Sequence, residues 1–89
     1  GTLDEENAIV TITDEVSVIA LLDHGLLSIE SNTNFSKIEL FDTTGKMIFT
    51  NETSINSHSF QKNISIANGV YILNVYCENG IKKSIKIIN

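Results

Sequence analysis

The stretch VYILNVYCENGIKKSIKIIN, residues 70–89, alternates apolar and polar side chains on both sides of Asn79-Gly80, and it constrains the fold more than any other feature. A period of two means strands, and two strands about a glycine-bearing turn mean a hairpin. A slip of one residue would exchange the faces of a strand, so the pattern also fixes the register. A two-residue loop would set Leu73 opposite Lys86 and Val75 opposite Ser84, mixing the faces. A loop of Glu78-Asn79-Gly80 instead sets Cys77 opposite Ile81, Leu73 opposite Ile85 and Tyr71 opposite Ile87. Only Lys83, opposite Val75, is then out of place. The pattern predicts this longer loop, with Gly80 left-handed.

The same chemistry recurs in FDTTGKMIF, where Thr43-Thr44-Gly45 lets Asp42 sit opposite Lys46 and Leu40 opposite Ile48. Phe41, Met47 and Phe49 then fall together on the other face. They form either a contact surface or a second part of the core beneath the segment from Ile9 to Leu22. Elsewhere helical periodicity is weak, and β-branched and aromatic runs recur between Gly, Asn, Asp and Ser. Strands are predicted near 8–13, 16–21, 26–31, 36–42, 46–51, 57–61, 70–77 and 81–88. Asn68-Gly69 turns the chain into its most apolar strand, so Gly69 is expected to serve a backbone requirement. Sheets with one apolar face satisfy themselves by packing together. The expected architecture is all-β, a single immunoglobulin-like antiparallel sandwich of about seven strands spanning residues 8–89, without the Cys, Trp, Cys signature. Residues 1–7 are expected to be a loose end, with Gly1 a cloning remnant and any targeting signal already removed.

At 89 residues there is room for one core, burying roughly 60–65% of the surface of the unfolded chain. The formal charge is −5, arginine is absent, and seven acidic residues precede the first lysine, Lys37. Such a chain lacks both the field and the guanidinium forks that grip phosphate backbones, which argues against nucleic acid and anionic membrane as partners. No run has the length of a membrane-spanning helix. The single cysteine, Cys77, excludes an internal disulfide and a cysteine-based zinc site.

No convergent acid, base and nucleophile is visible, and neither an enzyme nor a bound metal or cofactor is expected. His24 and His58 lack a second ligand at metal-binding spacing and are read as solvated turn residues. Cys77 ends a strand on its apolar face and is read as an inert core thiol. The acidic groups Asp4-Glu5-Glu6 and Asp14-Glu15 lack the ligand spacing of a calcium loop and are read as solvated charge. Asn34, Asn51 and Asn63 begin glycosylation-type triplets but are read first as loop residues. Tyr71 is assigned to the core with its hydroxyl bonded to backbone, and Tyr76 to the outer face beside Lys82.

Three stretches together resemble the C-terminal sorting domain of type IX secretion cargo in Bacteroidetes: LLSIESN at 26–32, KIELFDTTGKMIFT at 37–50, and ANGVYILNVYCENGIKKSIKIIN at 67–89. The carrying features are Asp42 and Gly45, then Gly69-Val70-Tyr71, then a final strand bearing Lys82 and Lys86. The family's proline-bearing opening segment is replaced by SVIALLDHG at 17–25, and the chain has no proline. The resemblance implies a non-catalytic sandwich that addresses an exported protein to the envelope or exterior of a Gram-negative bacterium through a protein partner. The chain is also similar to small stand-alone exported proteins of gut Bacteroidetes, which implies a secreted or periplasmic binding module instead. In either case the candidate contact surface comprises Phe41, Met47, Phe49, Lys82 and Lys86, with weak self-association as one use of it. Asp42, Gly45, Gly69, Tyr71 and Gly80 are the structural motif.

Overall fold

The computed structural model describes residues 16–89, with backbone only at 53–56 and 79. The strand expected at 8–13 and the loose end at 1–7 lie outside them. Among the described residues there are five strands: β1 (Val18–Asp23), β2 (Leu26–Asp42), β3 (Met47–Asn63), β4 (Val70–Cys77) and β5 (Lys82–Ile88). All pairings are antiparallel, with β1, β2, β4 and β5 in that order and β3 on the other edge of β2. The all-β class is as predicted. In place of two separate sheets, one sheet curls into a half-barrel and brings β1 beside β5.

The strand count is lower than predicted because β2 and β3 each take the place of two expected strands. The polar run Ser31–Asn34 suggests a break, yet the backbone stays extended through it. What changes is parity. On β2, Leu27, Ile29 and Phe35 are buried, and then Ile38 and Leu40. Against β4, Phe35 pairs with Cys77 and Lys37 with Tyr76, so Ser36 is an extra residue, a β-bulge that turns the odd-numbered inward face into an even-numbered one. The first half of β2 lies between β1 and β3, and the second half between β3 and β4.

Both halves send their apolar side chains into one core, where Leu27, Ile29, Ile38, Leu40, Leu73 and Val75 have almost no accessible surface. Burial of each such side chain contributes about 1.5–3 kcal/mol. The C-terminal hairpin has the predicted register: Tyr71 faces Ile87, Leu73 faces Ile85 and Val75 faces Lys83. The Cys77 amide donates to Ile81 (2.7 Å), and Gly80 has φ of 76°. Cys77 is buried, which pushes its thiol pKa up.

The hairpin at Asp42 departs from its predicted register. Its turn is as expected: Asp42 exchanges backbone contacts with Lys46 and Gly45, and its Oδ1 accepts from the Thr44 amide, the Thr44 hydroxyl and the Lys46 amide. Gly45 has φ of 91°. Past the turn, however, Phe41 pairs with Met47 and Leu40 with Phe49, not with Ile48. Ile48 is a bulge residue, and the extra position rotates Phe49 to the core side, where its ring lies 6.3 Å from that of Phe60.

Three chain segments meet at one end of the barrel. His24 (φ 51°) and Gly25 (φ 84°) form the tight turn joining β1 to β2, two residues later than the strand boundary read from sequence. Gly25 lies so close to the chain after β3 that a Cβ there would meet the Ile64 carbonyl oxygen at 2.6 Å, and the backbone N–H of Ile64 donates to Gly25 O at 2.7 Å. Asn89 joins them: its Oδ1 accepts from the Gly25 amide (3.0 Å), its Nδ2 donates to the carbonyls of Ile66 and Ala67, and its backbone pairs with Gly69. The Tyr71 hydroxyl donates to Ala67 O at 2.7 Å, the backbone partner predicted for it. Gly69 has φ of 155° with open space around it, so its requirement is conformational alone.

These differences set an order of stability losses. In denaturant titrations Leu73→Ala should cost about 2–5 kcal/mol and Gly69→Ala about 1–3 kcal/mol. Gly25→Ala, which adds a backbone clash to the same kind of φ penalty, should cost more than Gly69→Ala. Equal losses at the two glycines would show that the Gly25–Ile64 approach relaxes freely. In the folded protein Cys77 should react with thiol reagents only as fast as the chain opens, and rapid labelling would mean that β4 has its faces reversed.

Candidate functional site

The parity switch at Ser36 decides which side chains of β2 point outward beside β3 and β4. Lys37, Glu39 and Phe41 do so, and cross-strand pairing extends each into a row. Glu52, Lys37, Tyr76 and Lys82 form the first row, and Thr50, Glu39, Asn74 and Ser84 the second. The third is Met47, Phe41, Ile72 and Lys86. Beyond it Val70 pairs with Ile88.

The first two rows satisfy themselves. The Tyr76 hydroxyl donates to Glu39 Oε1 at 2.7 Å, and Ser84 donates to Asn74 Oδ1 at the same distance. Lys37 Nζ lies 3.5 Å from Glu39 and 3.6 Å from Glu52, and 5.4 Å from the centre of the Tyr76 ring. Lys82 approaches the same ring at 5.9 Å. The hydrogen bond from Tyr76 holds the Glu39 carboxyl below its usual range, and the same bond holds the Tyr76 hydroxyl above its own. The neighbouring Glu39 carboxylate raises Lys37. The shifts carry Glu39, Lys37 and Tyr76 away from neutrality, so Glu39 and Lys37 stay charged near pH 7 and are not poised as an acid–base pair.

The third row is not satisfied. Met47 is 43% exposed and Ile88 66% exposed, while Phe41, Ile72 and Val70 are half-buried. Among the described residues no carboxylate stands within ion-pair distance of Lys86 or Lys82. An apolar strip therefore crosses the sheet and ends in Lys86, a cation without a counter-charge among the described residues.

Of the residues expected at a contact surface, Phe41, Met47, Lys82 and Lys86 share this face, with Lys82 at its polar end. Phe49 does not, since the Ile48 bulge places it against the core. The segment Val18–Leu22 does not cover the strip, because it pairs with Leu27–Ser31 on the other half of β2; residues 9–15 lie outside the described residues. Ile72, Val70 and Ile88 were missed as members of the strip. The alternation of β4 carries the signal, since Ile72 is an apolar residue on the face opposite Leu73. His24 is exposed at its turn, as expected, with Nδ1 2.8 Å from Asp23 Oδ1. His58 is exposed on β3, where Nδ1 lies 3.3 Å from Ser31 O.

The fold is similar to that in the crystal structure of CopC from Methylosinus trichosporium OB3b. The TM-score is 0.51 at 16% identity, over 79% of this chain and 78% of that one. At that identity the likeness speaks to the fold alone. No curated protein matches the chain in sequence. The model of the domain of unknown function DUF8694 matches residues 5–89, and the chain belongs to that family.

Proposed function

We propose that the domain is a non-catalytic recognition module of exported proteins, working through the outer face of β3, β2, β4 and β5. The observation that carries this reading is the row Met47, Phe41, Ile72 and Lys86. Its exposed apolar area adds nothing to the core, whereas covering it with a partner would gain about 25 cal/mol per Å². The neighbouring Tyr76–Glu39–Lys37 network holds the sheet surface rigid, which limits the entropy lost on docking.

The finer proposal is that the domain addresses its protein to the envelope or exterior of a Gram-negative bacterium, with a component of the secretion machinery as partner. It follows from the resemblance carried by Asp42, Gly45, Gly69 and Tyr71, in the hairpin and the strand pair that flank the row. A stand-alone secreted or periplasmic binding module is the second reading. It is favoured by residues 17–25, where β1 and its glycine turn stand in place of the proline-bearing opening of the sorting family.

A secreted reporter fused ahead of the domain, expressed in a bacterium with a type IX apparatus, tests both readings. The wild-type domain should deliver the reporter to the surface or medium. The pair Met47→Glu and Ile88→Glu, verified as folded by circular dichroism, should leave it in the periplasm. Delivery unaffected by the pair would remove this face from recognition. Retention with the wild-type domain would reject the address label and favour the stand-alone module.

A further inference from the structure

The other half of the sheet has an outer face of opposite charge. There Ile19 and Leu21 of β1 are 62% and 66% exposed. With Ser28, Glu30 and Gln61 they line a groove of about 610 Å³. Glu30 of β2 is exposed and has no cation within ion-pair distance among the described residues, and the exposed Asp23, whose Oδ1 lies 2.8 Å from His24 Nδ1, ends β1. One chain thus carries an apolar strip ending in Lys86, with Lys82 further along β5, and a groove of mixed lining in which Ile19 and Leu21 stand beside Glu30, with Asp23 at the end of β1.

We infer that the occupant of the strip is the groove of a second copy of this chain, so that the domain associates head to tail. This rests on the outer face of β3, β2, β4 and β5 being a recognition surface, and it names a partner for it. Apolar area is covered on both sides, and Lys86 and Lys82 of one copy face Glu30 and Asp23 of the next. Pairing strip with strip sets Lys86 against a second Lys86 or, with one strip reversed, against Met47, and the groove lining holds no cation to meet Glu30 of a second groove, so only the unlike contact brings Lys86 and Glu30 together. A contact between two different patches leaves one of each kind free at the ends and grows into rings or open chains.

The test is sedimentation velocity of the full chain at low salt from roughly 10 µM to 1 mM, the range in which weak contacts become visible. The average mass of the wild type should rise with concentration and fall as salt screens the charges. Lys86→Glu alone and Glu30→Lys alone, both at exposed positions that folding tolerates, should each associate at least about tenfold more weakly. The double variant, and an equimolar mixture of the two single variants, should recover association, because each restores one pairing of opposite charges. A wild type that stays monomeric at about 1 mM would overturn the proposal while leaving recognition of another partner to its own test. So would single reversals that associate as well as the wild type, or a swap that fails to recover. Association appearing only after removal of residues 1–15 would assign the groove to that segment and also overturn it.

Discussion

A single extra residue, Ser36, sets the faces of this protein. Without it the alternation of β2 would carry Lys37, Glu39 and Phe41 into the core and turn Ile38 and Leu40 out to water. With it, one unbroken strand serves two halves of a curled sheet and sends Leu27, Ile29, Phe35, Ile38 and Leu40 to the same interior. The outer row of Met47, Phe41, Ile72 and Lys86 is the other consequence of that switch. Core and candidate surface thus share one cause. The bulge on β3 at Ile48 is its smaller counterpart, committing Phe49 to the interior and leaving Met47 outside.

A half-barrel must also be closed where its strands end. Here the closure is polar. The Asn89 side chain spans Gly25, Ile66 and Ala67, Gly69 is tied to the Asn89 backbone, and the Tyr71 hydroxyl takes up the second contact at Ala67. Backbone groups in the 64–69 connection would otherwise lack partners beside the core, where an unmet hydrogen bond costs about 1–3 kcal/mol. A chain with one cysteine has no disulfide to do this work. Gly25 is required by the same junction, since only a residue without a Cβ admits the Ile64 carbonyl at that distance.

The C-terminal hairpin was legible in the sequence down to individual pairs, because both of its strands alternate except at Lys83 and a slip would have exposed Leu73 and Ile85. The turn at Asp42 was legible for the same reason. What could not be read was each place where the alternation is interrupted by one residue. At Ser36 and Ile48 an inserted position looks either like a strand break or like nothing at all, since its effect lies in the partner strand. The candidate surface inherited both outcomes: Phe41, Met47 and Lys86 were identified, Phe49 was assigned to the wrong face, and Ile72 and Ile88 were overlooked. The junction at Asn89 gave no local signal, because its partners, from Gly69 to Gly25, lie 20 to 64 residues away in the chain.

The candidate outer row depends on the parity of β2, and parity can be tested without a ligand. Deletion of Ser36 removes the bulge and inverts one half of the strand relative to the other, whereas Ser36→Ala keeps the bulge and removes only a hydroxyl. Denaturant unfolding monitored by circular dichroism compares them. The deletion should abolish the cooperative transition, and Ser36→Ala should lie within about 1 kcal/mol of the wild type. A deletion variant that unfolds cooperatively near the wild-type midpoint would contradict the assignment of faces, and with it the site built on them.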